Sequence, residues 1–376
     1  MDYYFDEILK IFLCKGDALD KKKCLLSKKI KHIELTKGRR INHILNSLHN
    51  TSFQSRNLAK CFSVFKSMLA DREATIFFGL AGALIPGGMR KVIRDMIAFN
   101  MIDVLVSTGA NLYHDFFEAE GHNHYVATEY LPDTELRELR IDRIYDTLAD
   151  DTLFQEADLF FSEFPKSLEK RPYCTREFFE ELGKRIKDPS SIIRTAYREG
   201  VPVFCPTLHD SGIGIGLSLY WSRNKGKGFT IDPLRDNHEI MQIGRHSKAT
   251  GVFYVGGGVP KNYIQQIEPM LEVYGYEHSG HKYAIQITTD DPKWGGLSGC
   301  TIDEGKSWGK ISSSATSATV YIDATIGLPL LVAGVMEEKE LLKNRAKRKF
   351  IWDGATLKQI KMVKPSGQRE EPPSKL

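Results

Sequence analysis

The 376-residue chain has only six cysteines, Cys14, Cys24, Cys61, Cys174, Cys205 and Cys300, with no Cys-x-x-Cys pair and no His/Cys cluster of metal-ligand spacing. That scarcity excludes a disulfide framework and a zinc ribbon, and it fits reduced thiols in a cytoplasmic protein. Long apolar runs are missing too. Val320–Met336 comes nearest to the roughly 18 residues a membrane span requires, and it carries Asp323. The N-terminal patch Ile8–Leu13 is broken by Lys10, follows Asp2, Asp6 and Glu7, and precedes no small-residue cleavage site, so neither export nor insertion is expected. An excess of one charge is also absent: 52 basic against 48 acidic side chains leave +4, too little to argue for nucleic acid. Lys21, Lys22, Lys23, Lys28, Lys29 and Lys31 cluster near the start, where they read as a solvated face. There is no internal repeat.

What remains is a chain with 41% hydrophobic and 27% charged residues, enough for a sizeable core in one large α/β domain or two ordinary ones. Ala74–Leu80 reads as a buried strand running into Gly79-Leu80-Ala81-Gly82-Ala83, and a helix over Gly88–Asn100 then leads into a strand at Ile102–Ser107. After a helical middle the pattern returns. Val201–Cys205, Gly251–Val255, Tyr283–Thr288 and Thr319–Ile322 read as strands, and helices are expected at Gln54–Leu69, Ser191–Glu199 and Leu330–Leu342. Strand, glycine-bearing turn, helix, strand is the signature of parallel crossovers, so the expected fold is α/β, a mostly parallel sheet with helices on both faces. Residues 1–50 are expected to be a helical appendage, with short helices at Phe5–Leu13 and Arg39–Leu48. Residues 51–363 would form one catalytic domain, and 364–376 a polar, proline-rich tail without packing.

Two features carry chemistry. Gly256-Gly257-Gly258 ends an apolar strand, leaving backbone amides bare enough for a pyrophosphate, although it is not the Gly-x-Gly-x-x-Gly fingerprint and a tight turn alone would also favour glycine. Lys310 closes the run Asp303-Glu304-Gly305-Lys306-Ser307-Trp308-Gly309-Lys310. A lysine beside a tryptophan is a candidate imine-forming nucleophile, while taken singly it reads as a surface lysine. Asp210 and Asp323 end strands, where a carboxylate accepts from ribose hydroxyls or caps a helix. Glu304 reads as a proton carrier for the amine or as a first-turn helix acid. His114, His122 and His124 lack the i, i+4 spacing of a facing ligand pair and read as a polar loop, so no metal is expected.

Asp303-Glu304, Ser307-Trp308-Gly309-Lys310-Ile311, Gly256-Gly257-Gly258-Val259 and Tyr321-Ile322-Asp323-Ala324 together resemble the deoxyhypusine synthase family, over about Phe53 to Glu337. The resemblance implies a Rossmann-like fold, a homotetramer with active sites between paired subunits, NAD as cofactor and spermidine as aminobutyl donor. It places Thr108, Gly109, Ala110, Asp210, Gly256, Gly257, Gly258, Thr289, Asp323 and Ala324 at NAD positions, Lys310 at the lysine that holds the butylimine, and Glu304 and Trp308 along the polyamine. The chain departs from that pattern at Asn262, where hypusine-forming enzymes carry histidine, at Ile215, where they carry aspartate, and in the loop Trp294-Gly295-Gly296-Leu297-Ser298-Gly299, which lacks their carboxylate. Spermidine carries about three positive charges at neutral pH, so losing carboxylates alters how it is held. Asn262, Trp294 and Ser298 therefore join the candidate substrate residues. The reading is NAD-dependent aminobutyl transfer to a free diamine such as putrescine, giving homospermidine. Its rivals are transfer to a lysine of the hypusine-containing translation factor, net dehydrogenation, and a non-catalytic NAD-binding partner subunit.

Overall fold

The computed structural model describes residues 18–128 and 131–363. The expected helix at Phe5–Leu13 and the tail 364–376 lie outside them. At the centre is a six-stranded sheet of β1 (Ala74–Leu80), β2 (Val104–Ser107), β3 (Val203–Phe204), β4 (Ala249–Val255), β5 (His281–Thr288) and β6 (Ile311–Tyr321). Every pairing is parallel, in the spatial order β6-β5-β4-β1-β2-β3. From β1 the chain winds outward through β2 and β3, then crosses back to β4 and winds outward the other way. This is a doubly wound sheet whose direction reverses between β1 and β4, where such folds open a crevice beyond the strand ends.

The sheet is buried on both faces because its strands are apolar at successive positions. Ile76, Phe78 and Leu80 enter one core with Phe253, Ile285 and Val320, while Phe77 enters a second with Val104, Val252 and Tyr254. Helix Phe53–Ala70 covers the first face; a Cβ on Gly251 would lie 2.5 Å from Met68, so that helix sits directly on β4. Helix Gly258–Gln265 covers the second, where a Cβ on Gly79 would meet Tyr254 at 3.0 Å and Ile264 at 3.2 Å.

Four stretches differ from expectation, one of them the expected helix Leu330–Leu342, which is broken into two helices, Ala324–Met336 and Lys339–Asn344, by non-helical backbone at Glu338. β6 begins at Ile311 rather than Thr319, because Ser312, Ser313 and Ser314 disguise a strand that parallel pairing with β5 supports. Arg90–Ala98 is the regular helix, after a π turn at Ile85–Met89 that turns at Gly88, φ 81°. Lys347–Asp353 and Thr356–Val363 form an antiparallel hairpin. It is tied to the sheet by a buried network in which Arg345 pairs with Asp103 at 2.5 Å and Arg348 with the same carboxylate at 3.5 Å. Cys24 is disulfide-bonded, against the expectation of reduced thiols throughout, whereas Cys61, Cys174, Cys205 and Cys300 are free. Among the described residues no helix is long and apolar enough to cross a membrane.

Candidate active site

Because all six strands run the same way, the loops after Leu80, Ser107, Phe204, Val255, Thr288 and Tyr321 emerge on one edge of the sheet. At the reversal point they enclose a cleft of about 300 Å³, lined by Ala81, Gly82, Gly256, Gly257, Thr289, Asp290, Ser298, Asp323 and Ala324 among others. Gly82 has φ +67° and open space where a Cβ would project, and Gly256 has φ +70°. Both take backbone angles that favour glycine and keep the floor low. Small residues on the floor and carboxylates at the rim suit a dinucleotide, its phosphates near the glycine turn and its ribose hydroxyls near Asp323 or Asp290.

Gly256, Gly257, Thr289, Ser298, Asp323 and Ala324 meet in this cleft, and Gly258 belongs to the same turn. Thr108 stands beside it, donating from Oγ1 to the Gly82 carbonyl at 2.7 Å and accepting from Asn111 N at 3.3 Å as the cap of helix Gly109–Ala119. Gly109 is needed for close approach, since a Cβ there would lie 2.5 Å from Ser211 Oγ; Ala110 follows, half-buried. Asp210 is exposed and outside the lining, and Ser211 rather than Asp210 caps helix Gly212–Arg223. Asp323 does cap its helix, Oδ1 accepting from Thr325 N at 2.7 Å. One amide expected to face a phosphate has a protein partner: Gly258 N donates to Ser298 Oγ at 2.9 Å.

Lys310 immediately precedes β6, at the end of the sheet where β5 and β6 begin, its carbonyl accepting from His281 N at 3.0 Å, and its side chain reaches the helix that starts at the glycine turn. Helix Ile302–Ser307 ends at Trp308, Gly309 adopts φ +67°, and Lys310 N donates back to Gly305 O at 3.0 Å. The half-buried Lys310 side chain donates from Nζ to Asn262 Oδ1 at 3.3 Å and lies 5.2 Å from the centre of the Trp308 ring, which is itself 65% exposed. Asn262 thus holds the candidate nucleophile, and the ring shields one side of it. Glu304 is exposed in the first turn of its helix, its N–H taken by Thr301 Oγ1 at 3.0 Å; the hydrogen-bond acceptor of Lys310 is an amide rather than this carboxylate. Beyond Asn262 a second cleft, of about 450 Å³, is lined by Val259, Gln266, Met270, Tyr274 and Leu297, with no acidic residue in its wall. Trp294 lies 75% exposed on the loop that also carries Leu297.

Sequence reasoning passed over the residues beneath these loops. Lys261 is fully buried, donating from Nζ to Gln286 Oε1 at 3.0 Å and to the carbonyl of Cys300. Burial pulls its pKa below the usual lysine value. Position offered one signal, as Lys261 follows the glycine turn directly, but lysine in a sequence reads as surface. The histidine group resolves into a chain: His114 Nδ1 and His124 Nε2 share a hydrogen bond at 2.9 Å, and His124 Nδ1 meets Glu118 Oε1 at 2.8 Å. Burial pushes His114 down to about 3, so it is neutral.

A doubly wound, mostly parallel sheet with a glycine-floored cleft at its reversal point, and a lysine amine held by an amide, defines an α/β protein of the doubly wound class. The family model for deoxyhypusine synthase matches residues 43–335, and on that match the chain belongs to the deoxyhypusine synthase family. The "Probable deoxyhypusine synthase 2" of Methanosarcina acetivorans is 45% identical over 322 residues, covering 85% of this chain and 92% of that one. The "Deoxyhypusine synthase-like protein" of Chlorobaculum tepidum is 40% identical over 331 residues, 86% and 94% of the two chains. A crystal structure from Entamoeba histolytica assigned to the same family superposes with a TM-score of 0.56 at 18% identity, covering 81% of this chain and 96% of that one, which shows the shared fold.

Proposed function

We propose that this protein transfers the 4-aminobutyl group of spermidine to a free diamine such as putrescine, giving homospermidine, with Lys310 carrying the group as an imine. The observation that carries the reading is the Lys310 Nζ hydrogen bond to Asn262 Oδ1 beside a cleft fit for a dinucleotide. NAD, held by Gly256, Gly257, Thr289, Asp323 and Ala324, supplies the acceptance and return of a hydride. Lys310 attacks the imine carbon of the oxidised donor, a carbon–nitrogen bond forms to Nζ, and 1,3-diaminopropane leaves with the displaced nitrogen. An acceptor amine then displaces Nζ, which regains its proton and its bond to Asn262. Trp308 keeps water from one side of the imine, and the exposed Glu304 carboxylate exchanges protons with solvent near the site.

The cleft beyond Asn262, about 450 Å³, supports a small free amine as acceptor because it offers room for one next to the amide that holds Lys310. Val259 and Leu297 line the second cleft, Trp294 and Trp308 are exposed apolar side chains on the loops after β5 and before β6, and we place a second subunit of a homotetramer against them. Incubation with spermidine and NAD, with and without putrescine or the hypusine-containing translation factor, tests the reading by product mass. Homospermidine and 1,3-diaminopropane are expected. A mass gain on the factor instead would make the acceptor a protein lysine, NADH accumulation would indicate a dehydrogenase, and NAD binding without products would indicate a non-catalytic subunit.

A further inference from the structure

Lysine is almost never fully buried without a carboxylate partner, because desolvating an ammonium costs several kcal/mol. Lys261 is 0% exposed, and among the described residues no carboxylate lies at ion-pair distance from it. Its partners are neutral oxygens: Gln286 Oε1 on β5 and the Cys300 carbonyl at the end of the loop after Thr288. Gln286 extends the contact, its Nε2 donating to Gly256 O and to Ser298 O, both at 2.8 Å. Ser298 Oγ in turn accepts from Gly258 N. Lys261 and Gln286 thus join the floor of the dinucleotide cleft to the 298–300 segment and to the helix that carries Asn262, the partner of Lys310. An all-apolar pair would fill the same space without the desolvation cost, so stability alone does not account for an ammonium here. Burial acts most on the Lys261 charge, followed by Cys300 and Glu304, which favour it, and Lys310, which opposes it.

We propose that Lys261 is a positioning residue that couples the dinucleotide cleft to the reactive amine, its Nζ and Gln286 transmitting the placement of the glycine turn to Asn262 and so to Lys310. The proposal rests on the reading of Lys310 as the nucleophile, and its test does not require turnover. The full-length protein is treated with acetaldehyde and cyanoborohydride, with and without NAD, and alkylation of Lys310 is followed by peptide mass spectrometry; NAD binding is followed separately by tryptophan fluorescence. In the wild type, saturating NAD should change the Lys310 labelling rate by about fivefold or more, the span of ordinary coupling between sites. In Lys261→Met, and independently in Gln286→Leu, NAD should still bind but leave the labelling rate unchanged, and the double variant should add nothing further. Lys261→Arg, which keeps the donors, should recover part of the response. A wild type indifferent to NAD, or variants that keep the full response, would overturn the coupling. Should NAD alter labelling while spermidine yields no product, the coupling stands and the transfer reading fails.

Discussion

Lys310 Nζ donates to Asn262 Oδ1, and that contact decides how the amine is presented. Lys310→Ala should abolish both 1,3-diaminopropane release and any covalent adduct, while NAD binding persists; product analysis and fluorescence titration check the two halves. Asn262→Ala removes one hydrogen bond, about 1 kcal/mol, and should slow adduct formation roughly 5- to 10-fold with a smaller effect on the spermidine KM. Asp236 gives a second residue-scale prediction. Burial raises its carboxyl to about 7, and Oδ2 has no partner, while Oδ1 accepts from Thr175 N at 2.8 Å. A folded pKa raised above the unfolded value stabilises below pH ~4 and loses that contribution as pH rises through about 7. Asp236→Asn should therefore flatten the fall in thermal stability between those limits and stabilise the protein at pH 8, by on the order of 1–3 kcal/mol. Melting curves across pH test this.

Elements were legible where local pattern and tertiary context agree. Ala74–Leu80 is a strand with the expected bounds because seven consecutive residues are buried on a central parallel strand. The β6 start, at Ile311, was hidden because its serines carry no strand pattern, and the C-terminal hairpin because its anchor is the Arg345–Asp103–Arg348 network, distant in sequence. The site followed the same division. Glycines and Lys310 announce themselves by type and spacing, whereas Lys261 and Gln286 matter only through burial and partners that no linear pattern shows. At the glycine turn, a Cβ on Gly257 would sit 2.4 Å from Ser298 Cα. Gly257→Ala should push the 298–300 segment outward and weaken NAD binding by about fivefold, measured by fluorescence titration, one hydrogen-bonded contact being worth about 1 kcal/mol. Asp103→Ala leaves two buried guanidinium groups without their carboxylate and should cost about 3–5 kcal/mol in chemical denaturation.

Across the molecule, one winding reversal sets the arrangement: it puts the glycine turn, the Asp323 cap and the loop bearing Ser298 on the same edge, and the Lys310 turn lies against the helix that starts there. The exposed apolar side chains Val259, Trp294 and Leu297 near that edge give it the surface on which we propose a second copy of the chain docks. A homotetramer is expected by light scattering, and charged substitutions at Trp294 and Leu297 together should shift it toward smaller species with loss of activity.

The most direct test of the whole account is peptide mass spectrometry of the protein after reaction with spermidine and NAD under reductive trapping. The account predicts a 4-aminobutyl adduct on Lys310, lost when putrescine is added before trapping and replaced by homospermidine in solution. An unmodified Lys310, or an adduct on another lysine, would contradict it.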